Sequence, residues 1–181
     1  MNEKIKELVD SLNELNDWLV KRQLRIKLTV IGRFAFYLNG LGELATTDID
    51  TVTTLEDEVF DKILAIGYEH GIKAEWLNDN SEGIALPDGF EKRLLEKKDF
   101  SNIELKYASR IDLICLKAAA YLSRGEDDPK DFQDLLLLKP KETEIELAIS
   151  FIRKNYSPPQ PKFFPDFEER LDDLRSIYRK K

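Results

Sequence analysis

The chain is poor in the side chains that most metal and nucleophile chemistry relies on: its 181 residues include one cysteine, Cys115, and one histidine, His70. A lone cysteine cannot close an internal disulfide, and one Cys with one His cannot assemble a zinc cluster. A single histidine also excludes paired-His metal sites and makes His-based triads a poor reading. No apolar run approaches the ~20 residues of a membrane-spanning helix, and the N-terminal MNEKIKELVD is charged where a signal peptide turns apolar. The expectation is a cytoplasmic protein with no membrane partner. Positive charge is in deficit too: 28 Lys and Arg face 35 Asp and Glu, a net charge of −7, which argues against a general DNA- or membrane-coating protein. What remains is carboxylate, lysine and arginine chemistry, with any metal on oxygen ligands. At 42% hydrophobic and 35% charged, the chain can bury one core under a wet surface.

Ile5, Leu8, Val9, Leu12, Leu15 and Leu19 recur at helical spacing, which predicts a helix over about 3–21. The β-branched run IKLTVI ends at Gly32, FAFYLN follows as helix, and Gly40 and Gly42 break it. Residues 46–53 (TTDIDTVT) alternate as a second strand, with Asp48 and Asp50 on one face and Ile49 on the other. Thr54 is expected to cap a helix with the stripe Val59, Ile63, Leu64 and Ile66, ending at Gly67 or Gly71. After a loose stretch to about 90, residues 92–98 and 102–108 flank the turn DFSN as a hairpin. Helices follow over about 110–123, 129–138, opened by Asp128-Pro129, and 141–155. SPPQP then reads as a stiff linker, and a last helix puts Phe167, Leu171, Leu174 and Tyr178 on one face, to dock on the body or on a second subunit. The predicted fold class is α+β, a small mixed β-sheet flanked by helices with a helical C-terminal part.

Asp48-Ile49-Asp50 is the centre of the functional reading. Residues two apart in a strand project to one side ~6.5–7 Å apart, so two carboxylates can converge on a hard divalent cation such as magnesium. Alone the pattern is weak, since an acid-x-acid triplet arises by chance about seven times in a chain this acidic. Context supplies the specificity. VIGRFAFYLNGLGELATTDIDTV resembles the core of the DNA polymerase β-like nucleotidyltransferase superfamily, in which a hydrophobic strand, a Gly-Gly or Gly-Ser turn and a helix precede Asp-x-Asp on the next strand. WLND at 76–79 and IELKYASRIDLICLKAAAYLSRGEDDPKDFQDLLLL resemble the uncharacterised bacterial, AbiEii-like branch, so that the likeness covers roughly residues 26–140. On that basis the chain divides into an N-terminal helix over 1–25, a nucleotidyltransferase-like core over 26–110, a helical subdomain over 111–156, and a Pro-rich linker with C-terminal helix over 157–181.

The resemblance implies that Asp48 and Asp50 are catalytic and bind Mg2+, and that Gly32, Arg33, Lys117 and Arg124 contact nucleotide phosphates. Lys117 and Arg124 lie two helical turns apart, so both can face a polyanion, while Asp131 and Asp134 could orient them. The superfamily's third acid is not marked cleanly; Glu104 is the first candidate and Asp79 the second. Arg33 stands where the superfamily carries a small residue, and could grip phosphate or fill the pocket. The implied activity is NMP transfer from a nucleoside triphosphate to an RNA or protein hydroxyl, in a toxin–antitoxin or phage-defence setting with a cognate partner, or in a homo-oligomer. The alternatives are a catalytically silent interaction module of the same fold and, third, a nuclease using the same carboxylates. Cys115 and Trp18 read as packing residues, Trp76 as packing or a base-stacking platform, and His70 as a helix-end residue. The basic run Lys92, Arg93, Lys97, Lys98 and Lys106 could track a nucleic-acid backbone or serve as a solvated face.

Overall fold

A computed structural model describes residues 2–42, 45–81, 83–124, 130–156 and 166–179. The chain forms two compact units, one of residues 1–84 and 91–109, the other of residues 85–90 and 110–181.

The first unit begins with α1 (Glu3–Arg22), whose Ile5, Leu8, Leu12, Leu15 and Leu19 are buried as the periodicity predicts. Asn2 caps its start by accepting the Lys4 N–H, and Gln23 turns the chain left-handed at its end. β1 (Ile26–Ile31) leads directly into α2 (Gly32–Leu38), followed by β2 (Ile49–Thr51), α3 (Asp57–His70), β3 (Leu77–Asn78), the single turn α4 (Phe90–Arg93), β4 (Leu95–Lys97) and β5 (Ile103–Tyr107). The five strands make one mixed sheet in the order β3-β2-β1-β5-β4. β1 runs parallel to β5 and antiparallel to β2, β2 is parallel to β3, and β4-β5 is the expected antiparallel hairpin, although its first strand is shorter than 92–98 because residues 92–93 belong to α4.

The register assigns each side chain a face. Leu28 lies opposite Leu105, Val30 opposite Thr51 and Ile49 opposite Leu77, all of them buried. The alternate residues form the other face, where Ile31 lies opposite Asp50, Asp50 opposite Asn78, and Lys27 opposite Glu104. Trp76 is fully buried and its indole N–H donates to the Ile63 carbonyl at 2.9 Å, so it packs the core and is not a base platform.

Two expectations need correction. β2 is shorter than 46–53 because the Thr46 hydroxyl turns onto Asp48 and the Thr53 N–H onto the Thr51 hydroxyl, bending the chain at both ends. Thr54 does not cap α3; Glu56 occupies that position without a side-chain bond, and the Leu55 N–H is taken by Asp79 Oδ2 at 2.9 Å.

The second unit carries α5 (Arg110–Arg124), α6 (Lys130–Leu138), α7 (Glu142–Asn155) and α8 (Phe167–Arg179). α8 docks on α5 and α7 of its own chain, burying Phe167, Leu171, Leu174 and Ile177, with the Tyr121 hydroxyl donating to Asp173 at 2.9 Å. Ile177, not Tyr178, completes the apolar face. The expected Asp128-Pro129 helix start and the 157–161 linker lie outside the described residues.

Candidate functional site

The junction of β1 with α2 and the start of β2 bring the predicted acids to one end of the sheet's second face. Ile49 is fully buried, so the flanking Asp48 and Asp50 project the other way, each only partly exposed. Gly32 follows β1 with φ +67°, and a Cβ placed there would lie 2.5 Å from Asp50 Oδ2. Glycine is therefore required twice at this position, for the left-handed backbone and for the close approach of the carboxylate. Asp48 is oriented by the Thr46 hydroxyl, which donates toward its carbonyl oxygen and its Oδ1, each at 3.1 Å. Asn78, 2% exposed, extends its amide toward Asp50 Oδ1 at 3.4 Å and toward the Ile49 carbonyl at 3.5 Å.

Sequence reasoning missed Lys73. Its ammonium donates to Asp48 Oδ2 at 2.5 Å. That hydrogen bond is the main reason its pKa is raised; the fields of Asp48, Asp50 and Glu75 act the same way and partial burial opposes them. Lys73 reaches the acid through the tight return after α3: a Cβ on Gly67 would lie 2.8 Å from the Lys73 carbonyl oxygen and from Ala74 backbone atoms. Only a residue without a side chain lets the returning chain pack so closely on α3. A groove of ≈ 360 Å³ adjoins this lysine, lined by Lys4, Glu7, Leu8, Thr47, Gly71, Ile72 and Lys73. Gly67 inside an amphipathic helix was the available signal; nothing local marked Lys73 or Asn78.

Two of the other candidates in this unit, Glu104 and Asp79, are engaged elsewhere. Glu104 sits opposite Lys27, four β1 residues before the Ile31 that faces Asp50, about 13 Å along the strand. Its carboxylate is bonded to Lys106 at 2.8 Å and approached by Lys27 at 3.8 Å, which hold its pKa below the usual range. Asp79 is occupied by the Leu55 N–H. Position 78, directly opposite Asp50, holds an amide where a third acid would be in reach. The Arg33 guanidinium donates to the Ala45 carbonyl at 3.2 Å, in the segment leading to the acids. On the hairpin Lys97 pairs with Asp99, Lys98 with Glu96 and Lys106 with Glu104, so three of the five basic residues are locally neutralised.

In the second unit Lys117 is 13% exposed and lies between Asp131 (2.7 Å) and Asp134 (2.9 Å), both essentially buried. Arg124, 57% exposed, bonds the other oxygen of Asp131 at 3.1 Å. The resemblance implied a lysine facing phosphate; the structure holds it between two carboxylates of its own unit, while the arginine keeps an exposed guanidinium.

Among the described residues no group of three His, Cys, Asp or Glu is placed to hold a metal, and no helix is long and apolar enough to cross a membrane. No curated protein and no solved structure is significantly similar to the chain. Residues 6–146, which include the glycine turn, both aspartates and the Lys117 helix, match DUF6036, described as a nucleotidyltransferase of unknown function, and the chain belongs to that family.

Proposed function

We propose that the chain transfers a nucleoside monophosphate from a nucleoside triphosphate to a hydroxyl of an RNA or protein, using magnesium held by Asp48 and Asp50. The carrying observation is the pair itself: two carboxylates flank one buried strand residue, beside a glycine whose missing side chain leaves room for Asp50 Oδ2. The donor set fits the ion, because magnesium is ordinarily bound by one or two carboxylates together with substrate phosphates, not by an all-protein cage. Bound there, it would neutralise charge on the triphosphate. The protein's own contribution is positioning: Thr46 fixes Asp48, Asn78 steadies Asp50, and Gly32 keeps the approach open. Arg33, one residue on, would exchange the Ala45 carbonyl for phosphate. The acceptor oxygen bonds to the α-phosphorus, the bond from that phosphorus to the β-phosphate bridging oxygen breaks, and pyrophosphate leaves; the hydroxyl proton passes to solvent.

The test is incubation with each of the four α-labelled triphosphates and magnesium, with RNA and with cellular protein as separate acceptors. Label should enter one acceptor class and be lost in Asp48→Asn and Asp50→Asn. Cleavage of labelled RNA without added nucleotide would instead support a nuclease. One observation favours the silent-module reading, the ion pair that Lys73 makes with Asp48; absence of triphosphate binding by the intact protein would establish it. A toxin–antitoxin or phage-defence setting is part of the proposal only through the AbiEii-like resemblance.

A further inference from the structure

Lys73 is attached to backbone packed closely on α3, because its carbonyl and the next residue lie against Gly67 at a distance that excludes even a methyl group. Its side chain is long, with several rotatable bonds, and 43% exposed, so the ammonium can turn to a new partner without the backbone having to move. Two destinations are within its surroundings. One is Asp48 Oδ2, where it now sits at 2.5 Å. The other is the ≈ 360 Å³ groove that Lys73 itself lines with Lys4, Glu7, Thr47 and Gly71, a space where two ammonium groups and a hydroxyl outnumber one carboxylate.

A divalent cation entering Asp48 must compete with the ammonium already there. If it arrives alone, the displaced lysine gains only water and meets a second positive charge nearby. If it arrives with a triphosphate, the ammonium acquires an anionic partner beside the site it vacates. We propose that Lys73 is a phosphate ligand of the nucleotide donor, and that in the unliganded protein it fills the Asp48 position, so that metal and nucleotide bind cooperatively. This rests on the transferase reading and deepens it: the chain's own counter-ion keeps the acid pair closed to free metal until the polyanionic substrate draws it away. Linkage makes the effect reciprocal, with each ligand raising the affinity for the other by the same factor.

Manganese serves as the probe for magnesium. Free Mn2+ is titrated by electron paramagnetic resonance against the full-length protein, wild type and Lys73→Met, in the absence of nucleotide. Separately, binding of each labelled triphosphate is measured by equilibrium filtration at saturating manganese. Removing the ammonium should tighten Mn2+ binding on the order of tenfold and weaken triphosphate binding on the order of tenfold, couplings of ordinary allosteric size. Lys73→Arg should retain triphosphate binding, which a merely structural role would not predict. Unchanged or weaker Mn2+ binding in Lys73→Met overturns the counter-ion role, and unchanged triphosphate binding overturns the phosphate contact. Wild-type protein that binds neither probe refutes the transferase reading itself, a result distinct from both. Lys73→Gln repeats the measurement, and a far-ultraviolet spectrum identical to wild type confirms that either variant is folded.

Discussion

Replacing Gly32 with alanine imposes two separable costs on the candidate site. The first is conformational. At φ +67° a residue with a Cβ is disfavoured by about 1–2 kcal/mol, and for a chain of this size each kcal/mol lowers the melting temperature by ~2–4 °C. A fall of roughly 2–8 °C is therefore expected. The second is steric. The new methyl would lie 2.5 Å from Asp50 Oδ2, whereas ordinary contact begins at 3.4 Å, so something must retreat by the difference, 0.9 Å. The atom it meets is the free end of an acid side chain, so the carboxylate yields and the backbone does not. That relieves the clash cheaply but misplaces the proposed metal ligand, and a displacement near 1 Å can cost ~100-fold in rate. Thermal melting by circular dichroism, run beside the label-transfer assay, should show a modest loss of stability with a disproportionate loss of transfer, approaching that of Asp50→Asn. Full activity in a folded Gly32→Ala protein would show that the Asp50 carboxylate beside Gly32 takes no part in the chemistry. An unchanged melting temperature would refute the conformational argument.

Other perturbations follow from the same contacts. Lys117→Met leaves Asp131 and Asp134 buried without the ammonium between them, and urea unfolding should register a loss of about 3–5 kcal/mol. Trp76→Phe removes a fully buried donor to the Ile63 carbonyl; a loss of about 1–3 kcal/mol in the same assay is expected, and no loss would mean the bond is not made. Glu14 is held below the usual carboxylate range first by its hydrogen bond with His70 and then by that from Lys62. A depressed folded-state pKa adds stability above the unfolded-state value, and that stability disappears as pH falls through the folded one. The melting-temperature gap between wild type and Glu14→Gln should therefore be present at pH 7 and close below about pH 4; a gap independent of pH would refute the assignment. Glu104→Gln should leave manganese affinity at its wild-type value, since that carboxylate is committed to Lys106 and Lys27; weakened binding would return it to the metal site.

The parts of this account that were legible in the sequence are those fixed by near neighbours. The apolar stripe of α1, the start of α5, the end of α6 and both ends of α7 were legible from helical periodicity and local end signals. The glycine after β1 and the outward pair around buried Ile49 follow from strand alternation. What escaped depends on contacts made across the fold. β3, only Leu77–Asn78, is too short to show a period and exists because β2 offers it an edge. Lys73 stands 25 positions after Asp48 and meets it only because Gly67 allows the chain to return against α3. Glu104 looked attractive because its strand alternates correctly; its distance from Asp50 is a matter of register between β1 and its two neighbours, which one strand's pattern does not encode. Thr54 has the chemistry of a helix cap, yet Asp79 claims the adjoining Leu55 N–H and α3 starts three residues later, at Asp57.

Isothermal titration of the intact protein with each triphosphate in magnesium addresses the central claim most directly. Magnesium-dependent heat should appear with at least one triphosphate and vanish in both Asp48→Asn and Asp50→Asn. Binding that survives either substitution, or no heat with any of the four, would contradict the claim that these two aspartates are the metal and nucleotide site.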